Sequence, residues 1–326
     1  MKRQTLKLLA AASLAAAVFP ARAQGSDAFP RRPIRWVVPY APGGTTDLMA
    51  RRLGPELARN LGQEVLVENR PGAASILGAT FIARAAPDGY TLGTVDLGTL
   101  AFNPAMYSSL SYDPVNGFSL IGALGRMPLV LVVNPAFPAA TLDEYLAVVR
   151  KVPDGVSGAS SGPGSPLHVA MELLELRTRT RIRHVAYKGS APALQDVIDG
   201  QAQSMFIDLP PSLAAIRAGK VRVLAVATRQ RLPILPGVPT LWESGVNGFE
   251  AYAWQGLAGP AGLPDAVVRK LNRELVAALR SPPNRAGLEA LGIEPMPMSA
   301  GEFTAFVRTE QKFWADIIRK AHISLD

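Results

Sequence analysis

Short apolar runs alternate along this chain with segments of helical period. Residues 34–38 (Ile-Arg-Trp-Val-Val) read as a strand, and Met49, Leu53, Leu57 and Leu61 follow four residues apart. That spacing lines one face of a helix, and Gly62 supplies its stop. Residues 65–67 and 91–95 read as a second and a third strand. Residues 129–133 read as a buried strand. The capping box Thr141-Leu142-Asp143-Glu144 then opens a helix through Val149. Ser165 caps a helix to about Leu176, and Pro192 sits in the first turn of another that Gly200 ends. Strands at 205–207 and 221–227 flank a short helix at 212–218. Asp265 opens a long helix to Arg280, closed by Pro282-Pro283. A second capping box, Ser299 to Glu302, starts a helix carrying Phe303, Phe306, Val307, Phe313, Trp314, Ile317 and Ile318 at helical spacing.

This alternation predicts an α/β protein with mostly parallel sheets. There is no internal repeat and no long linker. Gly/Pro-rich stretches at 122–128 and 236–250 are natural crossovers. Two crossovers predict a discontinuous domain, 24–126 with 250–326, and an inserted domain, 127–249.

The first residues change the picture of where the chain works. Lys2, Arg3 and Lys7 precede an apolar run, 8–19, too short to span a membrane, and Ala21-Arg22-Ala23 is an A-x-A cleavage pattern. The expectation is a secretory signal peptide, 1–23, with a mature chain from about Gln24 and a periplasmic destination. Lys2-Arg3-Gln4-Thr5-Leu6-Lys7 also loosely resembles a twin-arginine signal, so two export routes stay open. Loss of Lys2, Arg3, Lys7 and Arg22 brings the formal net charge from +8 to +4. Such a surface can still draw anionic solutes. The one basic cluster, Arg177, Arg179, Arg181 and Arg183, reads as a solvated helix end and edge strand. No aromatic residues interleave with it, so no nucleic-acid partner is expected. With no Cys and three His (His168, His184, His322), no transition-metal site and no cofactor are expected.

Candidate chemistry begins at Pro39-Tyr40-Ala41-Pro42-Gly43-Gly44-Thr45-Thr46-Asp47, a Gly-rich turn from strand to helix. Free N–H groups and the helix dipole there favour an anion without any charged side chain. The glycines let a ligand approach the backbone, and Thr45 or Thr46 is expected to cap the helix. The turn lacks both G-x-x-x-x-G-K-[ST] and G-x-G-x-x-G, so it is not a nucleotide loop. Gly189 and Ser190 repeat the device of a glycine before a helix start. Gly158-Ala159-Ser160-Ser161-Gly162 matches G-x-S-x-G, which raises a hydrolase reading with Ser160, Asp208 and His322 as partners. Against it, the next helix starts only at Ser165, so the turn is not the sharp elbow a nucleophile needs. Ser165 with His168 is not a dyad on this reading, since no third residue is placed to orient the base.

Three segments in order, the 39–47 turn, Asn69-Arg70-Pro71-Gly72-Ala73-Ala74 and Ala86-Pro87-Asp88-Gly89-Tyr90-Thr91-Leu92, resemble the Bug family. These are periplasmic solute receptors of tripartite tricarboxylate transporters. The resemblance continues through Gly164-Ser165-Pro166-Leu167-His168, Tyr187-Lys188-Gly189-Ser190-Ala191-Pro192-Ala193, Trp254-Gln255-Gly256-Leu257 and Phe313-Trp314. One departure is Pro71-Gly72-Ala73-Ala74-Ser75, where the family usually has Pro-Gly-Ala-Gly-Gly. The resemblance implies a two-lobed periplasmic-binding-protein (Venus flytrap) fold with a ligand cleft between the lobes. It implies a small organic carboxylate as ligand, membrane permease subunits as partners, a monomer and no catalysis. A sensor feeding a membrane kinase is the alternative within binding proteins.

On that footing the first lobe offers Tyr40, Gly44, Thr45, Thr46 and Asp47 as ligand-binding residues, with Ser75 from the second loop. For Asp47 a bracing role in the first helical turn stands beside direct contact. The inserted lobe offers Ser165, His168, Gly189, Ser190 and Asp208. His168 either reaches back to its loop or faces the cleft, and Asp208 either faces the cleft or turns the chain into Pro210-Pro211. Asp96 ends the third strand at a place where, by the resemblance, Bug receptors usually carry a small hydroxyl residue. Either it selects a ligand with a cationic or donor group, or it caps the turn at Leu97-Gly98.

Overall fold

β1 (Ile34–Val38) leads into α1 (Thr45–Leu61), β2 (Val65–Asn69), α2 (Ile76–Ala83) and β3 (Thr91–Asp96) in the computed structural model, which describes residues 29–325. The expected signal peptide lies outside the described residues. A π-helical stretch, Gly98–Phe102, runs into the short α3 (Asn103–Met106). There follow β4 (Phe118–Val133), α4 (Leu142–Lys151), β5 (Ser157–Ser160), α5 (Pro166–Thr178), β6 (Arg183–Ala186), α6 (Ser190–Ile198), β7 (Ser204–Asp208), α7 (Leu209–Arg217) and β8 (Arg222–Val226). The chain closes with β9 (Tyr252–Pro260), α8 (Asp265–Arg280), α9 (Pro282–Glu289), β10 (Glu294–Pro295) and α10 (Ala300–Lys320).

The helices obey the sequence pattern. Met49, Leu53 and Leu57 of α1 are fully buried and Leu61 nearly so. Each such leucine contributes about 1.5–3 kcal/mol on leaving water. Gly62 ends α1 in the left-handed conformation (φ 68°), returning its N–H to the last carbonyls. Both capping boxes close as the residue types require, Thr141 with Glu144 and Ser299 with Glu302. Pro282 and Pro283 do not simply end α8. They occupy the first turn of α9, where a missing N–H costs nothing.

The sheet departs from the parallel expectation. β2, β1 and β3 pair in parallel, and so do β7, β5 and β6. Between them run two long strands, and β9 lies antiparallel to both β3 and β4. β4 pairs with β9 from Phe118 to Pro128, then with β7 from Leu129, so a single strand passes from one lobe into the other. The stretch expected as a loop crossover is therefore strand. Gly122, Gly125, Gly256 and Gly259 hid it, since glycine within a run reads as a breaker. These glycines make room for neighbours: a Cβ at Gly256 would stand 2.1 Å from the Phe303 ring.

α10 anchors the shared strands. Buried Glu310 accepts from Trp254 Nε1 (2.9 Å), Trp314 Nε1 (3.1 Å) and Tyr252 Oη (3.2 Å). Burial pushes that carboxyl up, while the three donors act against the rise. The result is a two-lobed α/β fold in which the loops after β1, β2, β3, β5, β6 and β7 all leave the carboxyl ends of strands, where such folds bind ligands.

Candidate functional site

In the first lobe the loops after β1, β2 and β3 are neighbours because their strands are, and side chains tie them together. Asp47 accepts from Gly43 N (2.9 Å), Arg51 Nε (3.0 Å) and Asn69 Nδ2 (2.9 Å), and Asn69 also donates to Tyr40 O. Burial alone would raise the Asp47 pKa, but these donors outweigh it and hold the carboxyl below its ordinary value. With its oxygens so engaged, Asp47 braces the turn that presents Gly43 and Gly44.

Tyr40 Oη donates to Asp96 Oδ2 at 2.5 Å, and Asp96 Oδ1 accepts from both N and Oγ1 of Thr99 (2.8 Å each). Asp96 is thus the cap of the turn into the π-helical stretch, 8% exposed. Burial raises its pKa, against the hydrogen bonds from Tyr40 and Thr99. Burial and the facing carboxylate push the Tyr40 phenol up as well. Ser75 Oγ meets Thr99 Oγ1 at 3.0 Å and is buried, so its hydroxyl serves the turn. Ala73, Ala74 and Ser75 all have positive φ (45°, 48° and 73°).

The expected threonine cap does not form. Gly44 is the N-cap of α1 and offers no side chain, and Thr45 is half-buried. Thr46 Oγ1 instead accepts from Gln255 Nε2 (2.7 Å), a residue of β9 more than two hundred positions away. A hydroxyl so engaged does not cap the helix. The Gly43 N–H is taken by Asp47, while the exposed N-cap Gly44 brings no side chain of its own to the α1 N-terminus.

In the second lobe, Ser165 Oγ accepts from His168 N and caps α5 as expected. His168 turns back: Nδ1 accepts from Gly164 N (3.1 Å) and Nε2 faces Glu172 Oε1 at 3.3 Å. Glu172 is the orienting third residue that the sequence reading missed, though the Ser165 hydroxyl engages the His168 backbone and not its ring. Gly189 (φ 117°) is the N-cap of α6 and Ser190 its first residue, and Gly189 N donates to Ser161 O. Asp208 ends β7 with Oδ1 buried and without a hydrogen-bond partner, and burial raises its pKa to about 6.

The hydrolase triad is not assembled. Ser160 is fully buried and pairs with His184 Nε2 at 2.6 Å, not with His322. His322 lies just past α10, lining a separate cavity of about 450 Å³ with Ala105, Ala315 and Ile318. Ser160 Oγ also bonds both Gly162 N and Gly162 O, as a loop clamp does. Arg177, Arg179, Arg181 and Arg183 are all exposed at the α5 end and along the edge strand β6.

The loop before α5 packs against α3 and the C-terminal segment at Gly164. A Cβ there would stand 2.6 Å from Met106 Sδ and 2.7 Å from Leu325 Cδ1, both of the first lobe. Two α/β lobes joined through β4, each with loops at the carboxyl ends of its parallel strands, define the class of two-lobed solute-binding proteins.

The chain belongs to the tripartite tricarboxylate transporter family of receptors, whose family pattern matches residues 49–323. It is 35% identical to Protein BugT of Bordetella pertussis over 301 residues, 92% of each chain. Two solved structures share the fold closely. The R. palustris protein Rpa4515, solved with adipate, is 33% identical with a TM-score of 0.85, covering 91% of this chain and 99% of that one. MatC (Rpa3494) from Rhodopseudomonas palustris, solved with malate, is 35% identical with a TM-score of 0.80, covering 89% of this chain and 100% of that one. The Bug resemblance read from the motifs holds. Among the described residues, no helix is long and apolar enough to cross a membrane.

Proposed function

We propose that this receptor works in the periplasm, binds a small organic carboxylate between its lobes and delivers it to the membrane permease subunits of a tripartite transporter. The observation that carries the reading is the α1 N-terminus, whose exposed N-cap Gly44 offers no side chain to compete with a ligand. Backbone N–H groups there, with Thr45 and Thr46, hold one ligand carboxylate. Tyr40 and Asp47 shape and brace this turn, with Ser75 and Asp96 behind it. Ser165, His168, Gly189, Ser190 and Asp208 contribute the opposite wall. The relatives solved with adipate and malate support a carboxylate as ligand. The lobes divide as 24–126 with 250–326, and 127–249. The protein acts as a monomer after removal of residues 1–23, without catalysis.

The test is calorimetry and thermal unfolding of the mature chain against mono- and dicarboxylates, with intact mass of the exported protein. A ligand at a hundred times its Kd stabilises the fold by about 2.7 kcal/mol, and the exported chain begins near Gln24. A screen with no carboxylate hit overturns the ligand class. Ester turnover abolished by Ser160→Ala overturns the absence of catalysis.

A further inference from the structure

Gln255 is 3% exposed, and its two amide ends are treated differently. Nε2 donates to Thr46 Oγ1 at 2.7 Å, while Oε1 has no hydrogen-bond partner among the described residues. A buried amide oxygen left unpaired is costly, and a leucine of similar volume would avoid that cost. A residue kept at such a cost needs a reason outside the packing of β9.

Its position supplies one. Gln255 pairs directly with Asp96 of β3 and with Gly125 of β4, at the carboxyl end of β3. Its amide reaches the first turn of α1, at the N-terminus described above. Thr46 has one hydroxyl proton. Because its oxygen accepts from Gln255, that proton stays available, and Thr46 Oγ1 donates to no acceptor among the described residues. A hydroxyl that accepts from an amide is also a better donor, since the two bonds polarise one another.

We infer that Gln255 is a specificity-determining residue that acts through Thr46, fixing the Thr46 hydroxyl as a donor toward an ionised carboxylate oxygen at the α1 N-terminus. Gln255 itself is a positioning residue in this relay. Its unpaired Oε1 shares the amide carbon with the donating nitrogen and favours a ligand, or a carried water, with a donor beside that carboxylate. Hydroxy- and amino-substituted carboxylates are the class that presents both. The inference rests on the carboxylate reading above.

The test uses Q255L, Q255E, T46V and the Q255L/T46V double variant, with malate, succinate, adipate and aspartate as calorimetric probes. Q255L removes the donor and the unpaired oxygen together, so affinity falls about tenfold while the thermal midpoint holds or rises. Q255E turns the relay round: an ionised Glu accepts the Thr46 proton and leaves lone pairs facing the ligand. Affinity then falls by about ten- to a hundredfold, more at pH 8 than at pH 6. T46V and the double variant bind alike, because Gln255 has nothing to act through once the hydroxyl is gone. Malate loses more than succinate in Q255L.

Three results overturn the inference while the carboxylate reading stands. They are wild-type affinity in Q255E, additive losses in the double variant, and a Q255L loss that only tracks a lower thermal midpoint. A wild-type chain that binds none of the four probes and no other carboxylate overturns both.

Discussion

His168 and His184 stack face to face, ring centroids 3.8 Å apart and planes 11° from parallel. Each ring holds part of the 160–165 loop: His168 takes the Gly164 N–H, and His184 takes Ser160, which clamps Gly162. Two imidazoles in van der Waals contact cannot both charge cheaply. Burial first, and the neighbouring His168 second, push the His184 pKa down to about 4, with Glu172 pulling the other way.

That depression sets the sign of a pH effect. The unfolded chain takes up the His184 proton near its ordinary 6.5 and the folded chain only near 4. The contribution of His184 is therefore complete above pH 6.5 and is lost as pH falls toward 4. Glu175, raised to about 7 by burial, acts with the opposite sign over the same range, so the wild-type profile is partly flattened. In His184→Gln the loss disappears. Relative to wild type, the variant gains about 1–2 kcal/mol between pH 7 and pH 4.5, discounted because the ring is only partly buried. Urea unfolding at both pH values measures it.

Asp208→Asn should stabilise the protein at neutral pH. The carboxylate is raised to about 6 by burial alone, with Oδ1 unpaired. Its folded pKa lies above its unfolded value, so ionisation above pH 6 works against the fold. The amide removes that charge and gains about 1–2 kcal/mol at pH 8, shrinking toward nothing by pH 4. Equal effects at both pH values would mean that charge is not the cause.

Ala74→Gly should relieve the second loop. Ala73, Ala74 and Ser75 form a left-handed run that costs L residues roughly 1–2 kcal/mol each. Ala74 stays there because its carbonyl accepts from Asn103 Nδ2 (3.0 Å) and Ser75 is tied to Thr99. Glycine adopts this conformation freely but gains freedom in the unfolded chain, leaving a net gain of about 0.5–1 kcal/mol. A rise in thermal midpoint checks it.

Gly164→Ala should oppose lobe contact. The added methyl meets Met106 and Leu325 of the other lobe, at a residue whose φ is 71°. The conformational part costs about 1 kcal/mol of stability. The steric part acts only when the lobes meet, so ligand affinity falls further than stability does. Small-angle scattering of the ligand-bound variant should show a more open particle than wild type, and identical scattering would refute the steric account.

Much of the receptor was written in local pattern. The α1 stripe, the Gly62 stop, both capping boxes, the Ser165 cap and the glycine before α6 depend on residues within a few positions of one another, and each formed as expected. So did the order of strand, glycine turn and helix at residues 34–61, the loop proposed to take the ligand. What local pattern could not carry was pairing at a distance. β9 hid behind its glycines, and whether β3 lay beside a parallel or an antiparallel neighbour depended on it. Thr46 looked like a cap until Gln255, brought beside it by β9, took its oxygen. Ser160 matched a nucleophile motif until β6 laid His184 over it inside the core. A hydroxyl or an imidazole has no role fixed by its own identity. Its proton goes to whichever partner the sheet places within about 3 Å, and only the tertiary structure chooses that partner.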